Sequence, residues 1–309
     1  MSGSPYETRP EQTAIAIGYT NREFVADQFL PRVRVSKDEF TYYELDKDKA
    51  FETTDDTAGR KARLNELGTS GELRTATCQD RGLTDVIPIT DENEAADSPA
   101  VLRQINGRTA SLMETVLLNR EIRAAGLLQT PGNFADNIEA DPIGTADSSL
   151  FKFLISQVEK LLMPATHLVM SRQLWSVVRT EASVVKAVQG NSGDEGAVTR
   201  QMLADRLELA GIVVGGALRK PTKRGKTFSV APVYAPELAI LRVETPVEAD
   251  QVTTTWGFTA QKGERVAGSR EEADIGLRGG RRVKAGESVG EVISSKLSGR
   301  RITGLMPAE

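Results

Sequence analysis

Few side chains in this sequence have a type and spacing that could do chemistry. His167 is the only histidine and stands in MPATHLVMS, directly before an apolar run. No neighbouring serine, cysteine or aspartate forms a nucleophile elbow with it, so it reads as a strand-end histidine with one satisfied hydrogen bond. One histidine also cannot supply the ligand pair of an HExxH site. Cys78 is the only cysteine, which excludes an intrachain disulfide and a thiolate-rich metal site and fits a reducing compartment. KRGKTF at 223–228 has the lysine and threonine of a phosphate loop, but it lacks the first glycine at the right distance and follows no buried strand. In GIVVGGAL the glycines flank a strand instead of leading from a strand into a helix, so the dinucleotide fingerprint fails. No catalytic residue, cofactor site or metal site is therefore expected.

Two basic clusters remain, RGGRR at 278–282 and SGRR at 298–301. Neither has interleaved aromatics for stacking bases, and EEAD lies just upstream of the first, so ion pairing explains them as well as nucleic acid does. The formal charge is −4, so no overall basic field exists to bind DNA by counterion release. Among the 309 residues, 39% are hydrophobic and 5% aromatic; that is lean for a compact enzyme and implies much surface for little core. No apolar run approaches the length of a membrane span, and the N-terminus lacks the basic and apolar regions of a signal peptide. Trp175 and Trp256 sit in apolar patterns and read as core or interface anchors.

The elements that must position these residues fall into three groups. Residues 1–14 are polar, with Pro5 and Pro10. From Phe40 to Asp46 aromatic alternation predicts a strand, and GELRTATCQD supplies a return strand. The segment between them is long, charged and nearly coreless, so 36–80 reads as an extended two-stranded arm. A lone hairpin is marginal in water and needs an outside surface. From Ser98, a possible cap followed by Pro99, a stripe of Val101, Ile105, Leu112, Val116 and Arg123 predicts one helix of about 30 residues, roughly 45 Å long, ending before Pro131. Arg103, Arg108, Glu114, Arg120 and Glu121 fall off that stripe. Beyond residue 149 the pattern alternates: helices in SLFKFLISQVEKLLM, RQLWSVVRTEASVVKAV and VTRQMLADRLEL, the last opened by Thr199, and strands in HLVMS, AGIVVGGAL, FSVAPVYAPELAILRVE and TTTWGFTAQ. This predicts an α+β core with a mixed sheet. The tail from Asp274 reads as β-structure returning to pack elsewhere.

In this order the parts resemble the major capsid proteins of tailed bacteriophages, with the Hong Kong 97-type shell fold. The resemblance covers nearly the whole chain. It is carried by FVADQFLPRVRVSKDEFTYYELDK leading into an extended loop, CQDRGLTDVIPITDENEA before a spine helix, HLVMSRQLWSVV opening an axial domain, and VTRQMLADRLELAGIVVGGAL as its helix-then-strand segment. It implies an N-terminal arm at 1–35 and an extended loop, the E-loop, at 36–80. A peripheral domain at 81–149 would contain the spine helix 98–129, an axial domain would span 150–245, and strands within 246–309 would rejoin the peripheral domain. It also implies a non-enzymatic subunit that assembles as hexamers and pentamers into an icosahedral shell enclosing double-stranded DNA without reading its sequence. That shell would be built in the bacterial host cytoplasm and end as the virion capsid. The spacing leaves no room for a long N-terminal scaffolding segment, so the resemblance implies a separate scaffolding protein or a short segment already lost, with a portal and a decoration protein as further candidate partners and no membrane. Candidate intersubunit contacts are Arg32, Arg34, Tyr42, Tyr43, Arg60, Lys61, Arg63, Arg281 and Arg282. An encapsulin-type nanocompartment shares this fold, and an α+β enzyme would need a pocket of convergent titratable groups.

Overall fold

The computed structural model describes residues 9–45, 51, 53, 55–57, 71–94, 98–144, 149–190, 196–222 and 229–306. Pro10 opens helix α1 (Pro10–Gly18), and a single helical turn, α2 (Ala26–Phe29), leads into strand β1 (Arg32–Val35). The aromatic alternation forms β2 (Glu39–Leu45), and the expected return strand is β3 (Gly71–Thr77), antiparallel to it from Glu39 opposite Thr77 to Leu45 opposite Gly71. After Cys78 the chain continues as β4 (Gln79–Pro88), then α3 (Ile89–Glu94) and the long helix α4 (Ser98–Gln129). Its 32 residues span about 48 Å at 1.5 Å per residue, and it stops just ahead of Pro131. Strand β5 (Asp136–Glu139) follows.

The alternating half comprises α5 (Leu150–Glu159), β6 (His167–Ser171), α6 (Arg172–Val178), α7 (Ala182–Gln189), α8 (Arg200–Arg206), β7 (Gly211–Gly215), the short pair β8 (Leu218–Arg219) and β9 (Ala231–Pro232), and β10 (Leu238–Leu241). Each of α5 to α8 starts at a side-chain cap. Ser149, Ser171, Glu181 and Thr199 accept the backbone N–H groups of Lys152, Leu174, Val184 and Met202. The chain ends in two long strands, β11 (Gly257–Glu272) and β12 (Gly280–Ile293), and a short one, β13 (Gly299–Thr303).

Two sheets carry the structure. One has the order β1-β11-β12-β4, with β1 parallel to β11 and the rest antiparallel. The other has the order β5-β13-β10-β6-β7 and is mixed. Helices α1 and α4 cover one face of the first sheet, burying Ile105, Met113, Ala267, Val283 and Ala285. Helices α5 to α8 pack Leu154, Leu174, Val184 and Leu203 against the second. A third cluster joins the two sheets around Trp256, Phe29, Phe134 and Tyr234, where Phe134 stacks on Trp256 with centroids 5.3 Å apart. Gly299 of β13 is required here, because a Cβ would lie 2.5 Å from Cδ1 of Trp256.

Several elements differ from the sequence expectation. Arg120 and Glu121, expected off the buried stripe, are 3% and 1% exposed; the C-terminal half of α4 runs through the joint between the sheets, so its buried face widens there. β11 extends ten residues and more beyond the apolar TTTWGFTAQ because its charged continuation, KGERVAGSREE, pairs along β12. FSVAPVYAPELAILRVE gives only β9 and β10, broken around Pro232 and Pro236. Residues 246–309 serve both sheets, since β13 lies between β5 and β10. KRGKTF lies outside the described residues.

Candidate functional site

In the β2–β3 pair, β2 packs on the first sheet while β3 carries the open surface. Five of the seven residues of β3 are exposed, Glu72, Leu73, Arg74, Thr75 and Thr77, and Gly71 and Ala76 are half-buried. β2 ties the pair down at both of its ends. Leu45 donates its N–H to Ser294 O (2.8 Å) and Cys78 donates its own to Asp38 O (2.7 Å). Tyr42 meets Phe258 edge-to-face at 6.3 Å, and Phe40, Cys78 and Val33 pack with Phe258 and Val292. Burial, with Glu44 nearby, raises the Tyr42 phenol above its ordinary pKa, and burial likewise raises the Cys78 thiol.

The candidate contacts divide by environment. Arg34 is 85% exposed along its side chain, 3.7 Å from Glu264. Tyr42 and Tyr43 are half-buried at the hairpin. Arg60, Lys61 and Arg63 lie outside the described residues. Arg281 pairs with Glu92 and Glu271, both at 2.8 Å, and Arg282 pairs with Glu272 at 2.7 Å, so both have partners within their own chain.

Arg32 belongs to a ladder of alternating charges that ties the N-terminal segment to the first sheet. Arg120 Nη1 meets Asp27 (2.8 Å), and Arg120 Nη2 donates to Thr259 Oγ1 (3.0 Å). Asp27 also accepts from Arg32 Nε (2.8 Å). Arg32 Nη1 reaches Glu287 Oε2 (2.8 Å), and the same oxygen accepts from Arg265 Nε (3.3 Å). The Glu287 side chain is fully buried. Burial pushes the Asp27 carboxyl up, but the guanidinium groups of Arg120 and Arg32 more than offset it and hold its pKa below the usual value.

Beside the ladder, Glu121 clamps three parts of the molecule. Its Oε1 accepts from Val25 N (2.8 Å) and Tyr234 Oη (2.6 Å), and its Oε2 accepts from Ala26 N (3.0 Å). Burial raises its pKa against the pull of these hydrogen bonds. The sequence held a signal for this. Leu117, Glu121, Ala124 and Leu128 lie three or four residues apart, hence on one helical face. Asp27, Glu287 and Arg265 had no such local signature, because their partners are distant in sequence.

The face of the first sheet away from α4 holds an open groove of about 720 Å³, lined among others by Asp80, Gly82, Thr84, Val266, Lys284 and Gly286. His167 contacts Thr166 Oγ1 through Nδ1 at 2.9 Å, and burial lowers its pKa. Trp175 and Trp256 are core residues. Among the described residues, no three His, Cys, Asp or Glu side chains are placed to hold a metal ion, and no helix is long and apolar enough to cross a membrane.

No protein-family model matches the chain. It is 33% identical over 300 residues to the major capsid protein of Pseudomonas phage JBD67, covering 96% of each chain. Its fold is similar to that of a phage-related protein from Bordetella bronchiseptica RB50, with a TM-score of 0.72, 16% identity, and coverage of 97% of this chain and 98% of that one. It is also similar to the SrpI encapsulin of Synechococcus elongatus PCC 7942, with a TM-score of 0.52 at 8% identity, covering 94% and 89% of the two chains.

Proposed function

This chain belongs to the major capsid proteins of tailed bacteriophages, and from that premise we propose that it assembles as hexamers and pentamers into an icosahedral shell around double-stranded DNA. The observation that carries the proposal is identity at the 30% level along almost the full length of both chains. The hairpin supports it physically. β3 is paired on one side and largely exposed on its faces, and such a ribbon becomes stable when another surface covers it.

The extended loop at 36–80 then lies over an adjacent subunit, with Arg34, Tyr42, Tyr43, Arg60, Lys61 and Arg63 at the contact. The open groove on the first sheet is a face of the kind such a loop needs. Arg32, Arg281 and Arg282 act in this reading by stiffening the surfaces that meet. Shells multiply weak contacts, so no single patch must be large. The role is structural, in the virion capsid. Assembly in the host cytoplasm, and partnership with a separate scaffolding protein, a portal and a decoration protein, complete the proposal. A net charge of −4 suits a wall that must not hold packaged DNA tightly.

The encapsulin reading rests on likeness of fold alone. Expression of the chain, followed by light scattering and negative-stain microscopy, tests the proposal: closed shells tens of nanometres wide are expected. A monodisperse monomer or small oligomer, with or without scaffolding protein, would overturn it. Particles from infected cells that hold a protein cargo and no DNA would favour a nanocompartment.

A further inference from the structure

Helix α1 is held to the molecule by a small apolar contact, in which Ala16 and, just past the helix, Tyr19 meet the core of the first sheet, and by several polar ties. It has nine residues, of which only Gln12 and Ala16 are buried, and isolated helices this short are marginal in water. Gln12 Nε2 donates to Ser269 Oγ (3.1 Å) and Thr13 Oγ1 donates to Ala267 O (3.0 Å). The last turn of α1 has no basic residue of its own. Its terminal carbonyls are met instead by Arg265 of β11, whose Nη1 lies 3.2, 3.3 and 3.0 Å from the oxygens of Ala16, Ile17 and Tyr19. The same guanidinium donates Nε to the buried Glu287. One side chain thus joins the end of α1 to the ion ladder. The docked helix also leaves Gln12 Oε1 buried without a partner, which offsets part of the docking energy.

The attachment changes character at residue 25. Val25, Ala26, Phe29 and Leu30 are buried in the joint, and Glu121 binds the N–H groups of Val25 and Ala26. Between α1 and this anchor, residues 20–24 form no helix or strand, and of these Phe24, at the anchor end, packs against the cores of the joint and of the first sheet.

We propose that α1 is a releasable strap latched by Arg265, able to leave β11 and α4 by a hinge at residues 20–24 while everything from Val25 onward stays folded. Local opening of this sort draws on segments with little buried apolar surface. Arg265 suits the latch because its planar fork can hold carbonyls and a carboxylate together, which a lysine ammonium cannot match.

Hydrogen exchange of the full-length chain, read by mass spectrometry, tests this in wild type, R265Q and R265K. Loss of the charge-assisted bonds should speed exchange of the amides of residues 12–19 by about tenfold or more in R265Q, with R265K between it and wild type. Amides of α4, β11 and β12 should keep their wild-type protection. Added salt should speed α1 exchange in wild type and have little effect in R265Q. Unchanged α1 exchange in R265Q would overturn the proposal, as would an equal loss of protection in β11, β12 and α4. Should R265Q fail to fold, T13V carries the test: acceleration confined to residues 12–19 supports the latch, and acceleration spread through the sheet overturns it.

Discussion

At the scale of single residues, the joint between the sheets depends on two carboxylates with opposite behaviour. Replacing Glu121 with Ala leaves the Tyr234 hydroxyl and two backbone N–H groups buried without an acceptor, and we expect a loss of about 3 kcal/mol of stability. Urea unfolding of the unassembled subunit measures it; a loss within experimental error would show that water replaces the carboxylate. Acid acts on Asp27 and Glu121 in opposite senses. The Asp27 pKa is lowered in the folded chain, so its contribution is present at neutral pH, above the ordinary value of about 3.9, and is lost as pH falls through the lowered one. The Glu121 pKa is raised, so the folded chain takes up that proton more readily and Glu121 favours folding on the acid side of its ordinary range. Asp27→Asn should therefore destabilise at pH 7, by an amount that shrinks as the pH drops below 4. Unfolding midpoints of the two proteins across that range check the sign, and a gap that widens in acid would refute it.

At the scale of elements, what the sequence made legible was whatever its own periodicity specified. The 32-residue helix, the β2–β3 pairing and the cap at Thr199 followed from local spacing. The second half of β11 and all of β4 did not, because backbone pairing along β12 and not an apolar rhythm holds them: Thr84 lies opposite Lys284, and Glu271 lies opposite Arg281, with which it also forms an ion pair. The ion ladder was hidden for the same reason, since Arg32 finds Glu287 some 255 positions away and looked from sequence like a surface residue awaiting a partner. Two element-level tests follow. Gly299→Ala forces β13 against Trp256 and should cost about 2 kcal/mol by overpacking, read again by urea unfolding; an unchanged midpoint would mean that the indole shifts freely. Deleting residues 50–68 should leave a soluble subunit with normal unfolding and poor shell yield. Normal, equally stable shells from that deletion would rule out the loop as an intersubunit element.

At the scale of the whole molecule, the question is where a thin subunit meets its copies with so little apolar surface to spare. The far end of the β11–β12 ribbon is one place where surface has been left open. Its turn bends through Gly276 and Gly279, at φ of 60° and 82°, and presents Leu277 with 98% of its surface exposed. Below the turn, the pairs of Arg281 with Glu92 and Glu271 and of Arg282 with Glu272 brace the ribbon. A stiff support with an unburied leucine at its tip contributes little to the fold of its own chain, and burying that leucine in a contact between copies would stabilise the assembly by about 1.5–3 kcal/mol per site. Leu277→Asp should then leave the unfolding curve of the subunit within about 0.5 kcal/mol of wild type, while the yield of shells in a scattering assay falls sharply and Leu277→Met restores it. Equal shell yields from wild type and Leu277→Asp would remove the ribbon tip from the assembly contacts and leave the hairpin and the open sheet face to carry them.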